Sequence, residues 1–219
     1  MSAIPVLPAP WGLQAEGYLL VYRFSQAFLA VHGFLPGGLL TRFLGGPGFV
    51  LLLHYSSSTA GPYDELLFIP GRFDWAGVPF YTVSRILVST EVSAANGRRN
   101  WGLPKEVASF EHSSLARGGE RVLVQTRAEP VLEMSARPLG PALPVGTSLF
   151  PVRLMQMGEN EVRLVELFGS GRARLARVKE LRVNPSLFPD VLQTRPLAAL
   201  HLSRFQVAFP AAEVYTPES

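Results

Sequence analysis

Cysteine is absent from this 219-residue sequence, which excludes disulfide bonds, thiolate metal ligands and cysteine nucleophiles. Charged residues are scarce at 17% while hydrophobic residues reach 47%, so the chain can bury a large core and is not intrinsically disordered. No apolar run reaches the roughly 18 residues that a membrane-spanning helix needs. Residues 1–17 lack the basic region of a signal peptide. We therefore expect a cytoplasmic protein with no membrane partner.

Lysine is also scarce. The chain has 18 arginines but only two lysines, Lys105 and Lys179. Arginine supplies a positive charge but cannot lose its proton to become a nucleophile, whereas lysine can. Each lysine is therefore a candidate for amine chemistry. The alternative is a composition bias that favours arginine over lysine and leaves a few lysines by chance. The net charge of +3 does not indicate a nucleic-acid partner, and we interpret the basic segment 172–182 as a solvated face.

Motifs for several other chemistries are missing. The four histidines lie far apart and have no spacing typical of a metal site. The sequence contains no G-x-S-x-G elbow, no phosphate-binding loop and no dinucleotide fingerprint. We therefore expect neither a metal nor a cofactor.

Short apolar segments separated by glycine and proline predict a mainly β fold. The clearest strands are residues 18–24, 49–55, 65–69, 81–90, 121–127, 162–168 and 205–209. A short helix is predicted from Ser25, as N-cap, to Gly33, and another between Asn184 and Pro189. Because strands are many and helices few, we expect one domain over residues 1–219, an antiparallel closed or cone-shaped β-barrel with a few short helices.

The segment 96–110, NGRRNWGLPKEVASF, surrounds Lys105 with large apolar residues. Pro104 stiffens the backbone immediately before the lysine. A lysine that is desolvated among such neighbours presents a neutral amine, which is the form that attacks a carbonyl carbon. The alternative is a lysine that extends from a loop over apolar neighbours to solvent.

The same segment resembles the signature of the acetoacetate decarboxylase family, in which G-R-E is followed by G-x-P-K-K. Here residues 97–99 (G-R-R) and 102–106 (G-L-P-K-E) hold those positions. Other segments resemble family motifs in the same order, over about nine-tenths of the chain. These segments are residues 18–23 (Y-x-x-x-Y-R), 61–65 (Y-x-E), 83–91 and 209–214 (P-x-A-E-V).

The resemblance implies a mainly β cone or barrel around an apolar pocket, a homo-oligomer and a small-molecule carbonyl substrate. By position, Lys105 would form the Schiff base with a keto acid, and Glu65 would stabilise the iminium or move protons. The candidates for substrate binding are Arg98, Trp101, Val50 and Tyr63.

Several family positions hold a different residue here. Glu106 replaces the second lysine of the signature, and Arg99 replaces its glutamate. Ala15 stands where the family has an arginine before the Y-R strand, and Val50 stands where it has a further glutamate. A shifted alignment restores neither residue, because no arginine precedes Arg23 and no acidic residue occurs in 17–63.

These replacements bear on the substrate. A small charged keto acid such as acetoacetate needs a cation to bind its carboxylate. Because the family arginine is replaced by Ala15, only Arg72, Arg98 or Arg99 would supply that cation, from a different side of the pocket. A larger or less polar carbonyl compound is the easier fit.

Two functions of different classes stay open. The first is a carbon–carbon lyase that forms a Schiff base through Lys105 with a keto acid or related carbonyl compound. The second is a non-catalytic β-barrel that binds an apolar small molecule and keeps the lysine structurally. Enzyme chemistry requires the Lys105 amine to lie in the cavity near Glu65, without a tight salt bridge to Glu106.

Overall fold

The computed structural model describes residues 3–127, 129–148 and 151–216. Within these ranges the chain forms sixteen strands and two α-helices. The strands are β1 (Trp11–Tyr22), β2 (Phe43–Gly45), β3 (Gly48–Ser58), β4 (Tyr63–Ile69), β5 (Arg72–Trp75), β6 (Val78–Tyr81), β7 (Arg85–Val88), β8 (Lys105–Val107), β9 (Ser109–Leu115), β10 (Gly119–Thr126), β11 (Glu129–Pro138), β12 (Leu143–Gly146), β13 (Val152–Met157), β14 (Val162–Val183), β15 (Ala198–Phe209) and β16 (Glu213–Tyr215). The helices are α1 (Gln26–His32) and α2 (Glu91–Trp101), with 3₁₀ turns at Leu39–Arg42, Ala116–Gly118 and Val191–Gln193.

The strands form one open sheet, and the predicted closed or cone-shaped barrel is wrong. The chain is mainly β, but the main path runs β2-β5-β6-β13-β14-β15-β1-β3-β4-β7-β8 and does not close on itself over the described residues. The 22-residue strand β14 pairs with β11, β12, β13, β15 and β16, so the sheet branches there. Two pairings, β7 with β8 and β6 with β13, are parallel. Branching and mixed direction are set by long-range pairing, which strand spacing in the sequence does not reveal.

Apolar side chains cover both faces of the central strands. Successive residues of a strand point to opposite faces. On β3, Val50 and Leu52 pack into one hydrophobic core, while Leu53 and Tyr55 pack into another on the opposite face. The odd-numbered residues of β1, β3 and β4 that face this second core also line the candidate site described below.

The helices are short and capped. The helix predicted between Ser25 and Gly33 is confirmed as α1, in which the Ser25 hydroxyl accepts a hydrogen bond from the Phe28 amide. The helix predicted before Pro189 is wrong, because the Asn184 side chain bonds the Ser186 amide and the chain turns instead. In the part of the chain that the structure describes, no helix has the length and apolar character to cross a membrane.

Candidate active site

Lys105 reaches a buried position through α2 and the turn after it. The Thr90 hydroxyl caps the start of α2, and Gly102 ends the helix in the left-handed conformation with φ of 67°. Pro104 then leads into β8, whose first residue is Lys105, opposite Ile86 of β7. The lysine is only 3% exposed. The sequence analysis did not predict α2. In the structure, the first part of the signature, residues 97–99, lies on this helix.

The Lys105 amine lies among three polar or aromatic side chains. Its Nζ lies 2.9 Å from Glu65 Oε2 and 3.1 Å from Ser93 Oγ, and 5.0 Å from the ring centre of Tyr63. The other carboxylate oxygen of Glu65 accepts a hydrogen bond of 3.1 Å from the Tyr55 hydroxyl. The two residues predicted to carry the chemistry, Lys105 and Glu65, are therefore a buried, directly bonded pair.

Glu106, which stands in place of the second lysine of the signature, does not bind the Lys105 amine. Consecutive residues of β8 point in opposite directions. The Glu106 side chain is 58% exposed and forms a salt bridge with Arg85. The amine therefore meets the geometric condition that the sequence analysis set for enzyme chemistry.

The two tyrosines of the site are neutral phenols. Burial, and then the negative charge of Glu65, raise the pKa of Tyr55 well above its usual value. The same two causes, in the same order, raise the pKa of Tyr63. Tyr55 therefore keeps the proton that it donates to Glu65.

An apolar cavity of about 300 Å³ adjoins the Lys105 amine. That volume is at the small end of the range for sites that bind small molecules. Most of the lining is aliphatic or aromatic, and no arginine occurs among the described residues that form it. The residues with polar side-chain groups apart from the tryptophans are Tyr55, Tyr63, Glu65, Lys105 and Thr147.

The candidates for substrate binding fall in different places. Trp101 and Tyr63 line the cavity. Val50 is buried on the face of β3 that points away from the cavity. The β3 residues that face the cavity are Phe49, Leu51, Leu53 and Tyr55.

The candidate arginines also lie outside the cavity. The Arg98 guanidinium bonds the backbone carbonyl of Lys105. Arg72 and Arg99 are not among the residues that line the cavity either. The cation that a small keto acid would need is therefore absent from the described lining.

Sequence reasoning missed three parts of the site. Ser93 lies on the unpredicted helix α2, and Tyr55 ends a segment that was recognised only as a buried strand. Gly97 belongs to the signature, but its role depends on a close approach to the lysine, which only the fold reveals. The register of β3 against β4, in which Tyr55 pairs with Tyr63 and Leu53 with Glu65, brings the tyrosine and the carboxylate together.

The chain has the fold of acetoacetate decarboxylase and of enzymes like it. It superimposes on an acetoacetate decarboxylase from Legionella pneumophila subsp. pneumophila with a TM-score of 0.72 and 16% identity, over 99% of this chain and 90% of that chain. For the enduracididine biosynthesis enzyme MppR complexed with pyruvate, the TM-score is 0.68 at 16% identity, over 97% of this chain and 92% of that chain. For an acetoacetate decarboxylase-like enzyme from Sphingomonas wittichii RW1, the TM-score is 0.65 at 12% identity, over 99% of this chain and 96% of that chain.

No protein-family model and no curated protein sequence matches the chain. The structural similarity confirms the resemblance at the level of the fold.

Proposed function

We propose that the protein is a Schiff-base-forming enzyme of the lyase class, which acts on a keto acid or related carbonyl compound through Lys105. The observation that carries this proposal is the placement of the Lys105 amine, 3% exposed and 2.9 Å from Glu65, beside a cavity of ligand size. A buried amine with an adjacent proton acceptor is the arrangement that an amine nucleophile needs.

The first step moves one proton from the Lys105 ammonium to the Glu65 carboxylate. The neutral amine then attacks the carbonyl carbon, forming a C–N bond and a carbinolamine. Glu65 returns the proton to the carbinolamine oxygen, which leaves as water, so that an iminium and a carboxylate remain. The net charge of the pair is thus the same before and after imine formation, which matters in an apolar site where an unpaired charge is costly.

The iminium withdraws electrons from the neighbouring bonds of the substrate. In a substrate with a carboxylate on the next carbon, the C–C bond breaks, carbon dioxide leaves and the electron pair forms an enamine. In a substrate without that carboxylate, a hydroxyl one carbon further away allows an equivalent step: its proton passes to Glu65, the C–C bond breaks, an aldehyde leaves and the electron pair forms the enamine. The similarity to acetoacetate decarboxylase supports chemistry of this kind, and the pyruvate complex of MppR supports the binding of a small carbonyl compound by this fold.

Borohydride trapping tests the proposal. The protein is incubated with acetoacetate, pyruvate, longer keto acids, ketones or aldehydes, reduced, and analysed by intact-mass and peptide mass spectrometry. We expect a reduced adduct on Lys105 that is absent from Lys105→Ala and retained in Lys179→Arg, because Lys179 is exposed on β14. The absence of a Lys105 adduct with every compound would overturn the proposal.

A second function, non-catalytic binding of an apolar small molecule, is favoured by one observation. The cavity lining is almost entirely apolar and contributes no arginine among the described residues. For a binding protein, apolar ligands without a carbonyl group would bind as tightly as carbonyl compounds of the same size, and Lys105→Met would retain the affinity. Isothermal titration with a matched ketone and alkane measures this difference.

A further inference from the structure

We propose that the substrate is a carbonyl compound with an apolar tail and no carboxylate beside the carbonyl, and that Phe205 sets the accepted length of the tail. This inference rests on the proposed function, since it assumes that the carbonyl carbon lies at the Lys105 amine. It adds a substrate class and a specificity-determining residue.

The ionisable groups of the site are concentrated at one end of the cavity, whereas the hydroxyl of Thr147, the remaining polar lining residue apart from the tryptophans, is bonded to the Gly169 backbone. Tyr55 lies on β3, Tyr63 and Glu65 lie on the adjacent strand β4, and Lys105 lies on β8, which is separated from β4 by β7. Their side chains contact one another. The strands β1, β15 and β14 supply only apolar side chains and glycine to the described lining, apart from the indole of Trp11. A ligand that fits both ends therefore has one reactive polar end and one apolar end.

The apolar part of the cavity crosses several strands. Phe205 of β15 pairs with Ala15 of β1, Ala15 with Tyr55 of β3, and Tyr55 with Tyr63 of β4. Neighbouring strands lie about 4.8 Å apart, so three steps along the sheet separate the Phe205 and Tyr63 backbones by at most roughly 14 Å. Because Tyr63, Lys105 and Phe205 all line the same cavity, a tail that extends from the amine can reach β15.

A carboxylate next to the carbonyl is disfavoured at the polar end. It would come close to the negatively charged oxygens of Glu65, and no arginine among the described lining residues offsets that repulsion. The ammonium charge of Lys105 is already paired with Glu65 at 2.9 Å. A neutral ketone or aldehyde avoids the cost of burying an unpaired charge.

Phe205 lies at the apolar end, directly after a local irregularity of β15. The pairing of β14 with β15 shifts register between Ser170 and Arg172, and Arg204 has a positive φ of 49°. The Phe205 ring packs on two glycines: an added β-carbon would lie 2.8 Å from the ring at Gly169 and at Gly171. The ring therefore occupies space that larger residues at these two positions would fill.

Gly169 also marks the boundary of the cavity. Gly169 and Thr147 line both this cavity and an adjoining groove that has Ser57, Glu166 and Gln206 in its walls. Because the Phe205 ring covers Gly169, truncation of Phe205 would extend the apolar cavity towards the groove.

Borohydride trapping with two matched series of compounds tests the inference. One series consists of methyl ketones with alkyl tails of one, three, five and seven carbons, and the other of keto acids of the same lengths. Each buried methylene contributes about 0.8 kcal/mol, so we expect the ketone concentration for half-maximal trapping to fall about fourfold per added carbon up to a limiting length. Keto acids should trap at least tenfold more weakly than ketones of equal length.

Variants of Phe205 test the length limit. Phe205→Ala should shift the limit to a longer tail, and the milder Phe205→Leu should give a smaller shift in the same direction. The control is Phe110→Ala, because Phe110 is a partly buried phenylalanine of β9 that packs in the other core. We expect this control to keep the wild-type limit.

The trapping results distinguish failure of the proposed function from failure of the inference about the substrate and Phe205. No Lys105 adduct with any compound would overturn the proposed function itself. Adducts that form equally well with short keto acids and long ketones would overturn only the substrate class. A tail limit that is identical in the wild type and in both Phe205 variants would overturn the role of Phe205.

Discussion

The aliphatic chain of Lys105 lies directly against the backbone of Gly97 on α2. A β-carbon at Gly97 would lie 2.6 Å from Lys105 Cδ and 2.8 Å from Cε, well inside van der Waals contact. Gly97 is also buried in the middle of a helix, where glycine normally costs stability. The signature glycine therefore provides the space through which the lysine reaches the cavity.

Replacement of this glycine should separate reactivity from stability. In Gly97→Ala the new methyl group displaces a flexible side chain and not the backbone, so we expect the fold to survive. Alanine should add up to about 1 kcal/mol of helix stability, less the cost of moving the lysine. Trapping at Lys105 should fall at least tenfold, because the amine leaves its position beside Glu65. Mass spectrometry after borohydride reduction and urea unfolding measure the two effects.

The matched control is Gly37→Ala, since no atom lies within 4 Å of a β-carbon at Gly37 and its φ is not left-handed. We expect this control to trap at the wild-type rate. Equal trapping in Gly97→Ala and the control would show that the close approach does not position the lysine.

The Lys105–Glu65 pair should show strong coupling in unfolding experiments. Both side chains are at most 6% exposed, so that removal of one leaves the other charge buried without its partner. We expect Lys105→Met and Glu65→Leu each to lower the free energy of unfolding by about 3–5 kcal/mol. The double variant should recover most of that loss, because an apolar pair suits the surrounding core. Additive losses in urea titrations would contradict this expectation.

His112 should make stability depend on pH in the alkaline range. Its Nδ1 lies 2.7 Å from Glu120 and its Nε2 lies 3.1 Å from Asp64, and these hydrogen bonds raise the pKa of His112 to about 10. Because the pKa in the folded state is the higher one, the stabilisation is fully present below the unfolded value of about 6.5. It is lost as the pH rises through about 10.

His112→Gln should therefore flatten the decline in the free energy of unfolding between pH 6.5 and 10. The control is His201→Gln, since burial, and then the positive charge of Arg174, lower the pKa of His201. Above about pH 7.5 that residue is neutral in both states, so its replacement should leave the slope between about pH 7.5 and 10 unchanged. Urea midpoints across the pH range provide the comparison, and a wild-type slope in His112→Gln would contradict the expected linkage.

Tryptophan fluorescence should report occupancy of the cavity. Trp11 and Trp101 both line it and meet edge to face with ring centres 5.0 Å apart, whereas Trp75 lies outside it, near Arg42. We expect an apolar ketone to change the emission of the wild type and of Trp75→Phe in the same way. Trp101→Phe should lose much of the change. A response that disappears only in Trp75→Phe would place the ligand elsewhere.

The chemical centre was the part of the site most accessible from the sequence. Lysine is rare in this chain, and the signature around Lys105 is local, so that both features are visible without a fold. Glu65 was identified from a short motif at a matching place in the chain order. The caps of α1 at Ser25 and Gly33 were equally local and were confirmed.

What sequence reasoning could not give depends on pairing between distant segments. An ungapped comparison assigned Val50 to the pocket, but the strand alternation and the register of β3 place it on the other face. The tyrosine at position 55 joins Glu65 only through the same register. The single-domain organisation, the homo-oligomer, the cytoplasmic location and the small-molecule partner stay predictions.

The cavity is walled by strands from opposite ends of the described chain. β1 pairs along its length with β15, from Trp11 opposite Phe209 to Val21 opposite Ala198. Contacts of such long sequence separation are slow to form, since the entropy of loop closure opposes them. During synthesis, a nascent chain that ends before β15 already contains Lys105 and Glu65 but lacks the strand that carries Phe205. The lining of the cavity is thereby coupled to synthesis of β15, so that products truncated before Ala198 carry the reactive residues without Phe205 and the other β15 side chains that line the cavity.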